Sequence, residues 1–101
     1  MRRRICGMPR HLNFSPRNSN GVVNLLVEEY EVIRLIDYNK LTQEECAQIM
    51  NMARTSVQKM YNDARFKISQ VLVEGKTLQI GGGDYYICND FSCRKKICNR
   101  K

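Results

Sequence analysis

The sequence predicts a mainly α protein, a helix-turn-helix bundle with a basic N-terminal arm and a short β or irregular C-terminal tail. Two observations define the helices. Apolar residues recur every three or four positions between residues 27 and 72. The stretch "LTQEECAQIMNMARTSVQKMY", residues 41–61, reads as two amphipathic helices with hardly any loop between them. The third observation is the distribution of charge. Residues 1–17 hold five Arg and no acid, and residues 94–101 hold Arg94, Lys95, Lys96, Arg100 and Lys101 with no acid, whereas the body between them is mildly acidic. The chain carries a formal charge of +7, concentrated at its two ends. Basic arms of this kind commonly meet nucleic-acid phosphates.

The 101 residues suit one domain, divided into a basic arm (1–21), a helix-turn-helix body (22–80) and a Cys-rich basic tail (81–101). The arm is rich in Pro, Gly, Ser and Asn and is expected to be irregular and laid over the body. "VVNLLV" (22–27) fits either a short strand or a lead-in to a helix. "VEEYEVIRLIDY" (27–38) has helical spacing: Val27, Tyr30, Ile33 and Ile36 share a stripe, and Glu28, Glu29 and Glu31 cluster where the helix dipole favours acids. Asn39 and Lys40 close it. Thr42 is an N-cap, with Glu45 three residues on completing a capping box. Its helix carries Cys46, Ala47, Ile49 and Met50. The next helix starts near Arg54, with Val57, Met60, Tyr61, Ala64, Ile68, Val71 and Leu72 recurring along it, and Gly75 fits the αL position that ends it. "KTLQI" and "DYYIC" flank Gly81, Gly82 and Gly83 and fit short β segments joined by a turn.

The central pair matches the helix-turn-helix template residue by residue. Ala47 is small enough to let the second helix cross closely. Four residues later Asn51 tolerates the left-handed conformation of the turn. Val57 then anchors the second helix inside, and Met60 follows one turn on. The opposite face shows Arg54, Thr55, Ser56, Gln58, Lys59 and Asn62, with no acid from 53 to 62. Arg suits guanine, and Gln or Asn suits adenine. A recognition helix leads with its N-terminal residues, so Arg54, Thr55, Ser56 and Gln58 are base-contact candidates, with Lys59 on phosphate. Arg2, Arg3, Arg4 and Arg10 of the arm are expected on phosphates or in a minor groove.

The run "VEEYEVIRLIDYNKLTQEECAQIMNMARTSVQKMYNDARFKISQVLVEGKTLQI" resembles domain-of-unknown-function family 134, small prokaryotic proteins predicted to bind DNA. "RRIC" followed by Pro near the start extends the resemblance. It implies a helix-turn-helix like that of region four of sigma factors. The family's usual Gly-Val-Ser-Arg turn is replaced by Asn51, Met52, Ala53 and Arg54, which removes a side-chain cap worth ~1 kcal/mol. Leu26 likewise stands where a capping Ser is common.

Cys88, Cys93 and Cys98 are spaced C-x4-C-x4-C, and Cys6 is a possible fourth thiolate for Zn2+ or another metal. His11 is a further donor candidate. Cys46, inside a helix, reads as a small core residue. Five Cys, an odd number, argue against a secreted disulfide framework. "MRRRICGMPRH" lacks the apolar stretch of a secretory signal, and no apolar run reaches the ~20 residues of a membrane span. The expected compartment is the cytoplasm.

One His, no G-x-G-x-x-G and no paired carboxylates in an apolar setting argue against an enzyme. The expected function is sequence-specific binding of double-stranded DNA in transcriptional regulation, as a homodimer, because one short motif reads few base pairs. Two alternatives remain. One is a metal- or redox-sensing regulator that uses the Cys cluster. The other is an interaction module docking on the transcription machinery.

Overall fold

The computed structural model describes residues 2–88. Among them are three helices and five strands in two sheets, a small mixed α/β fold. This corrects the expected helix bundle. The strands are β1 (Arg3–Ile5), β2 (Asn13–Phe14), β3 (Val22–Leu25), β4 (Thr77–Ile80) and β5 (Tyr85–Ile87). The helices are α1 (Val27–Ile33), which continues as a π-helical stretch Arg34–Tyr38, α2 (Gln43–Met50) and α3 (Arg54–Glu74).

The reason for the discrepancy is strand length. None exceeds four residues, too short to display a period of two, and each pairs with a segment far along the chain. The three-stranded sheet has the order β2-β4-β3. β3 runs parallel to β4 with Val22 opposite Thr77 and Leu25 opposite Ile80, while β2 runs antiparallel with Phe14 opposite Leu78. Parallel partners need a long crossover, and here the whole helical body supplies it. The second sheet is a parallel ladder of β1 and β5, Arg3 opposite Tyr85 and Ile5 opposite Ile87. The arm is therefore built into both sheets, and Ile5 is fully buried. Of "VVNLLV", Val22–Leu25 form β3 while Leu26 caps α1 and Val27 opens it, and the two segments flanking the glycines join different sheets.

One core unites the layers. Ile5, Leu25 and Ile80 from the strands meet Val27, Val32 and Leu35 of the first helix, Cys46, Ala47 and Met50 of α2, and Val57 and Ala64 of α3. The acids of α1 do more than complement its dipole. Glu28 accepts the Asp84 N–H with both oxygens, each at 3.2 Å, and its carboxylate occupies the place a Cβ on Gly83 would take. A side chain at Gly83 would have to displace that carboxylate, and the φ of +107° is one that L side chains rarely adopt. Glu29 accepts the Leu26 N–H at 2.9 Å and the Lys67 ammonium at 2.7 Å, so Leu26 keeps the half of a capping box that needs no side chain of its own. Glu31 is wholly buried, bonded to Arg34 and to the backbone N–H of Cys6.

Candidate nucleic-acid interface

The motif begins with a complete capping box. The Glu45 N–H donates to Thr42 Oγ1 at 3.1 Å, and the Thr42 N–H donates to Glu45 Oε1 at 2.9 Å. α2 ends at Asn51, whose φ of 57° and ψ of 53° are left-handed. The turn is closed by the Met52 N–H on the Ala47 carbonyl at 3.0 Å. Ala53 opens α3 in an extended conformation with no side-chain cap. Ala47 and Val57 are buried where the two helices cross.

The other side of α3 faces outward. Arg54, Thr55, Gln58, Lys59 and Asn62 are exposed and Ser56 is half-buried. Lys59 reaches Asp63 at 3.0 Å, a surface pair between successive turns of the helix. Such pairs contribute little in water, so the ammonium is only weakly held. Asp63 lies one residue past the acid-free window. Farther round, the Tyr61 O–H donates to Asp37 Oδ1 at 2.7 Å, and that bond holds the phenol above its usual range. Arg65 lies over the Tyr61 ring at 5.2 Å from its centroid and 3.8 Å from Asp37.

The four arm arginines have different surroundings. Arg4 donates from Nε to the Ile49 carbonyl at 2.7 Å and from Nη2 to the Gln48 carbonyl at 3.2 Å. Those carbonyls belong to the last turn of α2, where a cation is favoured by the dipole. Arg4 thus braces the motif from behind. Arg3 lies in a cleft shared with Leu26, Glu29, Ser56, Lys59, Met60 and Asp63, so β1 brings a guanidinium beside the first turns of α3. Arg2 is exposed, 3.6 Å from Asp84, and Arg10 is exposed. His11 is exposed with its ring edge toward Phe14.

Sequence reasoning missed the bracing role of Arg4 and the buried pair of Glu31 and Arg34. Burial opposes the Arg34 charge, but the hydrogen bonds and charge of Glu31 outweigh it and hold the guanidinium above its ordinary value. A spacing of three residues on one helix was the available signal. It did not distinguish a buried pair from a surface one.

The cysteines divide into two groups. Cys46 is buried in the core, its thiol 3.7 Å from Met50 Sδ and pushed up to about 12, chiefly by burial. Cys6 and Cys88 follow the last paired residues of β1 and β5, and the Cys88 N–H donates to the Ile5 carbonyl at 2.7 Å. The ladder therefore brings those two thiols to neighbouring strand ends. Cys93 and Cys98 lie outside the described residues, as does the basic cluster from Arg94 to Lys101. Among the described residues no group of three or more His, Cys, Asp or Glu is placed to hold a metal ion. Among them, too, no helix is long and apolar enough to cross a membrane.

The profile of the family described as "Protein of unknown function DUF134" matches residues 1–88. A "UPF0251 protein" of Desulfitobacterium hafniense is 48% identical over 91 residues, covering 86% of this chain and 73% of the relative. One from Ruminiclostridium cellulolyticum is 38% identical over 93% of this chain and 75% of the relative. An archaeal one, from Methanothermobacter thermautotrophicus, is 40% identical over 82% of this chain and 45% of the relative. No solved structure matches.

Proposed function

The chain belongs to the DUF134 family, and from that premise we infer that it binds double-stranded DNA in sequence-specific fashion and regulates transcription. One observation carries the reading. α3 leaves a left-handed turn at Asn51, buries Val57 and Ala64, and turns Arg54, Thr55, Gln58, Lys59 and Asn62 outward from its first two and a half turns. Those are hydrogen-bonding and cationic groups at the end of a helix that docks first in a major groove. Arg4 fixes the C-terminal end of α2, and Arg3 lines the cleft beside Ser56 and Lys59, so the first strand both supports the motif and adds charge near it. Arg2 and Arg10 are left for phosphates. A DNA partner also means residence in the cytoplasm.

Selection of bound duplexes from a random pool tests this directly, followed by Arg54→Ala on the preferred site. The substitution should cost ~1–3 kcal/mol there and relax preference at one position. Equal loss on all duplexes makes Arg54 a phosphate contact. Recovery of no preferred sequence removes the base-reading role altogether.

A further inference from the structure

Two thiols have no part in the DNA reading. The ladder of β1 and β5 pairs Arg3 with Tyr85, Arg4 with Tyr86 and Ile5 with Ile87. The Cys88 N–H donates to the Ile5 carbonyl at 2.7 Å, so the bonding runs on past the last pair. One step further in that register sets Cys6 opposite Cys88, and paired residues of a parallel ladder point their side chains to the same face. Neighbouring strands lie about 4.8 Å apart, within the roughly 4.4–6.8 Å that separates the Cα atoms of a disulfide. Both residues are thiols in this structure. Their exposure differs. Cys6 is 6% exposed, and its backbone N–H is held by Glu31 at 2.9 Å, whereas Cys88 is half-buried. An oxidant therefore meets Cys88 first, while Cys6 is shielded from solvent yet only one strand away. An accessible sulfur beside a second cysteine that resolves it is the arrangement of a thiol switch. Cys46 is the contrast: wholly buried, with its thiol pushed up to about 12, it has neither access nor thiolate character.

We propose that Cys6 and Cys88 form a reversible disulfide when the protein meets a peroxide. The Cys88 thiolate attacks the peroxide, an S–O bond forms as the O–O bond breaks, and the departing oxygen takes a proton and leaves as water. The Cys6 thiolate then attacks that sulfur, the S–S bond forms as the S–O bond breaks, and hydroxide leaves with a proton as the second water. The two thiols lose two electrons, which reduce hydrogen peroxide to two waters. A dithiol reductant reverses the change by exchange at Cys88, the sulfur it can reach. The bond closes a loop of more than eighty residues, and a cross-link across a long loop restricts the unfolded chain most. It also clasps β1 to β5. Arg4 lies two residues before Cys6 and so shares its face of the strand, and Arg4 donates to the last turn of α2. Oxidation thus fixes the strand that braces the motif. The pair itself does not rest on the DNA reading.

The test uses the full chain carrying Cys93→Ser and Cys98→Ser, which leaves Cys6, Cys46 and Cys88. After hydrogen peroxide, alkylation and trypsin, mass spectrometry should find residues 5–10 joined to residues 77–94, each peptide holding one cysteine. Only the Cys46 thiol should remain, and dithiothreitol should restore the other two. The linked form should unfold at a higher urea midpoint than the reduced form, with slower hydrogen exchange in β1. Dimedone, which captures sulfenic acid, tests the order of attack: Cys6→Ala should carry the adduct on Cys88, and Cys88→Ala should leave Cys6 unlabelled. The wild-type chain should give the same link, with a further cut after Phe91 to separate Cys88 from Cys93. No link between the two peptides, a link between the Cys88 residues of two chains, or wild-type Cys88 joined instead to Cys93 or Cys98 overturns the proposal. So does a dimedone adduct on Cys6, or a linked form no harder to unfold than the reduced one.

Discussion

Glu31→Ala should be among the most damaging single changes in this protein. The Glu31 side chain is wholly buried, and its oxygens accept three hydrogen bonds at 2.9 Å, from Arg34 Nε, from Arg34 Nη2 and from the Cys6 N–H. Arg34 is itself buried. Without Glu31 the guanidinium keeps its charge but loses its counter-charge, and the Cys6 amide loses its acceptor. Removing one partner of a buried pair costs about 3–5 kcal/mol. A domain of this size is stable by only about 5–15 kcal/mol, so a large fraction is at stake. At a urea slope of about 1–3 kcal/mol/M, the unfolding midpoint should fall by roughly 2 M. Hydrogen exchange should locate the effect, with the Cys6 amide losing protection beyond the global loss because Glu31 ties β1 to α1. The double variant Glu31→Met, Arg34→Leu should recover most of the stability, since an apolar pair of similar volume carries no stranded charge. A cost below about 1 kcal/mol, or a double variant no better than the single, would refute the reasoning.

Asn51→Gly should be neutral or slightly stabilising in thermal melts, because glycine adopts the left-handed geometry seen at Asn51 without the strain an Asn side chain carries; a clear loss would mean the Asn51 side chain has a role of its own. Arg2→Ala with Arg10→Ala should reduce the salt slope of DNA binding by up to about 2, near one unit per phosphate contact, and an unchanged slope would leave these exposed arginines without a DNA role. Deleting residues 1–10 would be a poor test of the same point, because Ile5 is in the core and Arg4 braces α2. Stability should decline above about pH 9. The buried Cys46 thiol is raised from 9.0 to about 12, so between those values the folded state holds a proton that the unfolded chain has released. That contribution is fully present below pH 9 and is lost as pH rises toward 12, with Tyr61, also raised, acting in the same direction. Urea midpoints measured from neutral to alkaline pH should show a shallower decline for Cys46→Ala, despite its lower starting stability; parallel profiles would contradict this account of Cys46.

The sequence by itself determined the helices and the turn of the motif. Thr42 with Glu45, Asn51, and Gly75 each fix a helix end through local chemistry, and Thr42 caps while the other two adopt left-handed φ as expected. Ala47 and Val57 fell inside because the 3.6-residue period leaves them one side to occupy. Family membership was legible for a related reason: the same spacing, unbroken from Val27 to Ile80, lies within the stretch that the family profile matches. "KTLQI" and "DYYIC" were legible as short β segments and became β4 and β5, but tertiary structure alone decided how the short segments pair. β1 and β5 have three residues each, β2 has two, and their ladders join residues more than sixty positions apart. No local pattern encodes such a pairing, because a strand of that length is held by its partner and by the core rather than by its own propensity. The same holds for charge. Composition gave five arginines before residue 18 but not their positions in the fold. Only the packing of β1 along α2 set Arg4 on the Ile49 and Gln48 carbonyls while leaving Arg2 and Arg10 in solvent. Periodicity reports which side of an element is buried; which distant group lies against that side depends on the folded chain.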